Sequence, residues 1–367
     1  MISKHHAFLS IAKVVILASI WPTTGHTNAE AGGSELDLPL TMTQWQKVTT
    51  PEFNPNEDIT DLALGNGEPP VIYITTREVN ITQSIHLYQS PDFGLTWTEL
   101  QLPDHNTYDT FYLDPSDSNS IYTVVCGSWT GQGRLYRNDL EAQTRERIIV
   151  RIGQGEDDSS ACPQLYFDPS TPEMVFLTDR FYHYNWVYYS PDQGKSWHVL
   201  DNGSYVGTDY PLFDPFRPDQ IVVIDSDSVR YRKFTDKFTG ELEDIARFNS
   251  AVGLEFESAN LKFTTTPNGI IKTSGWADLY ENKSKQDLSW QPVPLPREVG
   301  KIVDLLSWPE KFSGIVVSTD TGVWGTQDTS SQWFRLGDDD KVFNKIMSRG
   351  TRLFAVHENQ REIFVIE

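Results

Sequence analysis

The sequence predicts an all-β chain: a seven-bladed β-propeller of four-stranded antiparallel blades, closed by an N-terminal strand that completes the C-terminal blade. Three observations predict it. First, Ser190-Pro191-Asp192-Gln193-Gly194-Lys195-Ser196-Trp197 repeats Ser90-Pro91-Asp92-Phe93-Gly94-Leu95-Thr96-Trp97 at a spacing of 100 residues, and internal repeats set an architecture before local propensity does. Second, Asp-Pro pairs at 114, 168 and 214 recur at one place in successive units. Third, the last unit lacks a Trp-bearing strand, while an orphan one, Trp45-Gln46-Lys47-Val48, stands at the other end of the chain.

The first unit starts near Ile59. Alternating or continuous apolar runs place strands at Asp61–Leu64, Val71–Thr75, Ile85–Tyr88 and Trp97–Leu100. The second has Thr110–Leu113, Ile121–Val125, Arg134–Arg137 and Arg147–Arg151. The third has Gln164–Phe167, Met174–Thr178, Val187–Tyr189 and Trp197–Leu200. The fourth has Tyr210–Phe213, Gln220–Ile224, Val229–Lys233 and a weaker strand near Ile245. In the second, third and fourth, Asp-Pro marks the first hairpin, because Pro cannot join a central ladder. The fifth unit reads as Asn260–Phe263, Gly269–Lys272, Ala277–Tyr280 and Trp290–Val293. The sixth reads as Lys301–Leu306, Gly314–Ser318, Gly322–Gly325 and Trp333–Leu336. The seventh has only Phe343–Ile346, Arg352–Val356 and Glu362–Ile366, so Trp45–Val48 supplies its fourth strand. Ring closure removes the sheet edges that invite aggregation.

The two Ser-Pro-Asp-x-Gly-x-Ser/Thr-Trp stretches resemble the Asp-box (BNR) repeat found in sialidases, Vps10/sortilin-type receptors, xyloglucanases and photosystem II assembly-factor propellers. The resemblance is specific for fold and poor for function. It implies that Ser90, Asp92, Gly94 and Trp97, with Ser190, Asp192, Gly194 and Trp197, are structural and lie on the face opposite the usual active site. The residue chemistry agrees. Asp92 and Asp192 can accept turn N–H groups, Gly94 and Gly194 suit positive φ, and Trp97 and Trp197 can pack between blades.

The opposite face carries the candidate ligand site. It gathers loops that join second to third strands and one unit to the next. The candidates are Arg77, Trp129, Arg180, Tyr182, His183, Trp186, Tyr210 and Trp276, with Asp179–Trp186 as the richest loop. Exposed aromatics beside Asp, Asn and Arg are what sugar rings bind. Asp109 and Asp209, just before successive first strands, are the first carboxylate pair to test for glycosidase chemistry. Cys126 and Cys162, the only cysteines, fall on this rim in neighbouring units and are expected to form a disulfide.

The N-terminus reads as a secretory signal over residues 1–31, with an apolar run from Ala7 to Trp21 and an Ala29-Glu30-Ala31 cleavage site. Residues 32–42 are a lead-in and 43–367 a single propeller domain. The expected location is secreted or periplasmic, with no integral membrane segment after cleavage. Cleavage would change the net charge from −21 to −22, since Lys4, Lys13 and Glu30 depart. Such acidity argues against nucleic acid as a partner. No nucleophile-elbow, zincin, P-loop or dinucleotide fingerprint is present, and no cofactor or metal is expected. The sialidase-type Phe/Tyr-Arg-Ile-Pro segment is also missing. The sequence thus points to an exported, non-catalytic Asp-box propeller that binds a glycan or protein. A carbohydrate-active hydrolase or lyase and an assembly-factor scaffold are the alternatives.

Overall fold

Ile72, Tyr73, Ile74, Thr75 and Thr76 are consecutive and all buried, as are Ile315 to Thr319 and Ile363 to Ile366. Strands buried on both sides belong to sheets stacked face to face. The computed structural model describes residues 44–67, 69–78, 85–102, 108–126, 133–148, 163–167, 173–181, 184–201, 210–213, 220–224, 228–233, 243–247, 254–256, 262–266, 269–273, 291–307, 315–326, 332–337 and 341–366, the segments 179–186 and 200–273 by their backbone.

The described strands pair into seven four-stranded antiparallel sheets. β1 (Gln46–Val48) belongs to the last of them. Sheet 1 is β2 (Glu57–Leu64), β3 (Ile72–Glu78), β4 (Ile85–Ser90) and β5 (Thr98–Glu99). Sheet 2 is β6 (Thr110–Leu113), β7 (Ser120–Val125), β8 (Arg134–Asp139) and β9 (Thr144–Ile148). Sheet 3 is β10 (Gln164–Phe167), β11 (Val175–Phe181), β12 (Tyr184–Ser190) and β13 (His198–Asp201). Sheet 4 is β14 (Tyr210–Phe213), β15 (Gln220–Ile224), β16 (Ser228–Lys233) and β17 (Glu243–Arg247). Sheet 5 is β18 (Leu254–Phe256), β19 (Lys262–Thr266), β20 (Gly269–Thr273) and β21 (Gln291–Pro292). Sheet 6 is β22 (Ile302–Ser307), β23 (Ile315–Thr319), β24 (Gly322–Thr326) and β25 (Trp333–Arg335). Sheet 7 is β26 (Phe343–Arg349), β27 (Arg352–His357), β28 (Ile363–Ile366) and β1, with Gln46 opposite Val365 and Val48 opposite Ile363. Among the described residues the one helical piece is a 3-10 turn at Arg297–Val299.

Alternation sorts each strand between two cores. On β27, Leu353 and Ala355 join Val316 and Val323 of sheet 6, while Phe354 and Val356 join Ile72 and Ile74 of sheet 1. On sheet 1, Tyr73 faces the other way, toward Phe111 and Ile121 of sheet 2. Tyr122 and Val124 then meet Leu165 and Leu177 of sheet 3. Apolar clusters thus run without a break from sheet 6 through 7, 1 and 2 to 3. The cluster between sheets 7 and 1 unites the two ends of the chain.

Four expectations need correcting. In sheet 5, Leu254–Phe256 is the first strand and pairs with 262–264, so the run expected to come first is in fact second. Its next strand follows at once, with Thr266 opposite Gly269. The expected strand Ala277–Tyr280 lies outside the described residues. The fourth strand of sheet 2 is Thr144–Ile148 rather than Arg147–Arg151; the pairing of Asp139 with Thr144 starts it directly after a short turn. Arg77 and Glu78 are strand rather than loop, because β2 extends back to Glu57 and pairs with them. The expected loop 179–186 is also mostly strand: Asp179 pairs with Trp186, Arg180 with Asn185 and Phe181 with Tyr184. Aromatic residues on both arms, Phe181, Tyr184 and Trp186, favour strand and carry the ladder onward.

Candidate functional site

Register fixes the two ends of each sheet. Ile72 pairs with Ser90 at one end of sheet 1, and Arg77 with Ile85 at the other. In sheet 3, Val175 pairs with Ser190, and Phe181 with Tyr184 at the far end. Both Ser-Pro-Asp turns therefore lie opposite the end that holds Arg77 and the 179–186 hairpin.

The two turns are built alike. The Asp92 carboxylate accepts the Thr96 amide (2.8 Å), the Thr96 hydroxyl (2.5 Å) and the Ser90 hydroxyl (2.9 Å). Asp192 accepts the Ser196 amide (2.8 Å), the Ser196 hydroxyl (2.7 Å) and the Ser190 hydroxyl (2.8 Å). Ser90 and Ser190 are fully buried, and each accepts the amide of the turn glycine at 2.7 Å. The Thr96 hydroxyl and amide hold the Asp92 carboxyl below its usual range. For Asp192, partial burial pushes upward, but the Ser196, Ser190 and Lys195 hydrogen bonds outweigh it and the net shift is down. Gly94 and Gly194 both sit at φ 86°, each after another positive-φ residue, Phe93 and Gln193.

The tryptophans tie neighbouring sheets. Trp97 Nε1 donates to the Thr49 carbonyl (2.6 Å), one residue past β1 of the preceding sheet. Trp333 donates to Pro294 (2.8 Å), just past β21, and Trp45 to Leu336 (3.0 Å), just past β25. Trp197 instead donates to Gly194 of its own turn (3.0 Å), and its ring packs with Ile148 of sheet 2 in one cluster.

The opposite end is built on the first strands. Asp109 precedes β6, and its amide donates to the Val124 carbonyl (2.7 Å). Its Oδ2 accepts the Cys126 amide (2.7 Å), and its Oδ1 faces Arg77 Nη2 at 3.5 Å. The structure thus brings together Arg77, Asp109 and Cys126, three of the residues singled out from sequence. The local pattern repeats around the inner strands. Tyr108-Asp109-Thr110-Phe111 corresponds to Ile59-Thr60-Asp61-Leu62, Ile302-Val303-Asp304-Leu305 and Phe343-Asn344-Lys345-Ile346. In each, the second residue is exposed. In the latter three it is the extra residue of a β-bulge. Asp209 precedes Asp214-Pro215 by the same interval as Asp109 precedes Asp114-Pro115, but lies outside the described residues. So do Trp129, Tyr182, His183, Trp276 and Cys162. Arg180, Trp186 and Tyr210 are placed by their backbones on β11, β12 and β14.

One cluster escaped the linear reading. Across sheet 1, Glu57 accepts the Thr76 hydroxyl (3.2 Å) and the Asn54 amide (2.9 Å) and lies 3.5 Å from His86 Nε2. His86 Nδ1 meets Glu99 at 2.7 Å. Glu57 is buried. Tyr88 beside them has its phenol pushed up to about 12, first by burial and then by the charges of Glu57 and Glu99. Tyr108 is pushed up further, again mainly by burial. The four members of this row come from four different strands, so no contiguous motif could have shown it. Among the described residues no group of three His, Cys, Asp or Glu side chains converges to hold a metal ion, and no helix is long and apolar enough to cross a membrane.

No protein-family model matches the chain, and no curated protein matches it in sequence. Solved structures do match. YCF48 bound to a D1 peptide is 13% identical, with a TM-score of 0.54 over 88% of this chain and 96% of that one. A catalytically inactive virginiamycin B lyase from Staphylococcus aureus with quinupristin is 11% identical, with a TM-score of 0.55 over 88% and 99%. The GH74 enzyme of Niastella koreensis is 14% identical, with a TM-score of 0.52 over 82% of this chain and 50% of that one. The fold is a β-propeller. The propeller spans nearly the whole of the first two proteins and half of the third. At these identities the likeness carries the fold alone, and the neighbours include two enzymes and a protein bound to a peptide.

Proposed function

We propose that this chain is an exported propeller of seven blades, closed between β1 and β28, that binds an extended protein segment on the end opposite its Asp boxes. The observation that carries the binding reading is the state of Asp109. Both of its oxygens are engaged, one by the Cys126 amide and one facing Arg77. A carboxylate so held braces a rim and orients an arginine, whereas a general acid needs a free oxygen toward substrate. The nearly full-length likeness to YCF48 with its peptide supports the same reading. The Asp boxes are assigned to structure, since each carboxylate accepts three hydrogen bonds from its own turn. Residues 1–31 are assigned as the export signal, 32–42 as lead-in and 43–367 as one domain. Cys126 is assigned a disulfide to Cys162, supported by its packing in the cluster that contains Leu165, three residues beyond Cys162.

A carbohydrate-active enzyme is the second reading, favoured by the GH74 likeness. One experiment separates the two. The full chain is offered a peptide array, a glycan array and a polysaccharide panel. Binding to peptides, weakened about tenfold, or ~1.4 kcal/mol, by Arg77→Ala, is the expected result. Product release from a polysaccharide, abolished by Asp109→Asn, would replace the binding reading with the enzymatic one. Glycan binding without peptide binding would change the ligand class.

A further inference from the structure

The propeller has one line along which two neighbouring sheets can part without breaking the chain, because the chain ends meet there. That line separates β26, β27 and β28 from β1 and sheet 1. Only three residue pairs of β1 and β28 cross it as a ladder. Among the described residues three ion pairs also cross it, and each joins residues far apart in sequence. Lys47 binds Glu362 across the β1–β28 ladder itself, over 315 positions. Arg361 binds Asp58 at 3.1 Å, over 303 positions, and also donates to the Pro55 carbonyl. Lys345 binds Asp61 and donates to the Leu62 carbonyl at 3.2 Å, over 284 and 283 positions.

The inner pair belongs to a recurring device. Lys345 and Asp304 occupy the same place, directly after the bulge on the first strand of their sheets. Asp304 of sheet 6 accepts the Ile346 amide of sheet 7 at 3.0 Å. Lys345 of sheet 7 reaches the Leu62 carbonyl of sheet 1. In both steps the side chain grips the backbone of the residue that follows its counterpart in the next sheet. At the junction of the chain ends the step also includes an ion pair, with the Lys345 and Asp61 side chains 20% and 13% exposed.

We propose that the ring is sealed electrostatically at this seam, and that the seam is the first part of the propeller to open when charges are screened or removed. The inference rests on the closed ring proposed above. In a chain of net charge −21, each of these three cations neutralises a carboxylate on the other side of the seam. Exposed pairs such as Lys47–Glu362 are screened within a few ångströms at 1 M salt, whereas apolar clusters are not. The apolar cluster beneath them, which holds Val48, Met347, Phe354 and Ile363 with Ile59 and Ile72, keeps the blades stacked after the seam loosens.

Hydrogen exchange of the full chain between 0.05 and 1 M NaCl tests this. Amides of 44–48 and 363–366 are expected to exchange roughly three- to tenfold faster at high salt, while amides of 72–76 and 121–124 do not speed up. Lys345→Met and Arg361→Gln are expected to raise the low-salt rate at the seam toward the high-salt value and to flatten its salt dependence. Seam amides that are protected but indifferent to salt would overturn the seal and leave the ring standing. Seam amides that exchange as free chain even at 0.05 M NaCl would overturn the closed ring itself.

Discussion

At the scale of single residues, the glycines of the blade junctions are the sharpest test of the packing. A Cβ on Gly94 would stand 2.2 Å from Val48 Cγ1, and the residue sits at φ 86°. A Cβ on Gly337 would stand 2.4 Å from Trp45 Cδ1, at φ 82°. Gly350 has φ 55° but nothing within 4 Å. Gly94→Ala and Gly337→Ala therefore combine a strained backbone with overpacking and are expected to cost about 2–4 kcal/mol. Gly350→Ala meets only the backbone term and is expected to cost about 1 kcal/mol. Denaturant titration of the three variants reads the difference directly. Equal losses at all three sites would mean that Val48 and Trp45 do not press on these turns.

At the scale of elements, four of the seven fourth strands have only two or three residues, and tryptophans beside them act as ties. β5 and β21 have two residues each, β1 and β25 three. Trp45 is buried and its indole N–H satisfies a buried contact to Leu336, whereas the Trp333 bond to Pro294 is exposed. Trp45→Phe is expected to destabilise by about 2 kcal/mol and Trp333→Phe by under about 1 kcal/mol, because only the former strands a buried carbonyl. Thermal melts of the two variants check the order. The ties were legible in the sequence where Trp97 and Trp197 follow an Asp-x-Gly turn at fixed spacing, and Trp45 and Trp333 were read by their place as outer-strand tryptophans. The β1–β28 pairing was legible for the same reason: a Trp strand was missing at one end and spare at the other. What the sequence hid was local continuity. The arms of 179–186 carry Asp, Arg and Asn, so polarity pointed to a loop while the pairing continued. Sheet 5 was misread by one strand because Leu254-Glu255-Phe256 is too short to show a period. The Glu57, Thr76, His86 and Glu99 row lay hidden because it runs across strands. Arg77, Asp109 and Cys126 were found individually, through strand ends, but their mutual contact is a product of stacking two sheets.

At the scale of the whole molecule, two charge effects of opposite sign govern the pH dependence of stability. The net charge of −21, with eight histidines counted neutral, makes the folded state repel itself at neutral pH. As pH falls toward the isoelectric point, near 4.7, the net negative charge shrinks and the repulsion eases, so stability is expected to rise. The second effect acts lower. Glu362 is held below the usual carboxylate range by hydrogen bonds from Lys47 and Asn359, and Asp117 by the Ser120 hydroxyl and Asn119 amide. Asp92 and Asp192 are depressed within their turns. A carboxyl whose folded pKa lies below its unfolded value binds fewer protons when folded. Its contribution is complete above the unfolded value, near 4, and is lost as pH falls through the folded value. Stability should therefore peak at about pH 5 and fall steeply below about pH 4. Glu362→Gln removes one of these groups, so it should lower the melting temperature at pH 7 and make the acid limb shallower. Melting temperatures from pH 3 to 8 would show both limbs. A curve that is flat from pH 4 to 3 would mean that the turn carboxylates and the seam are not what acid dismantles first.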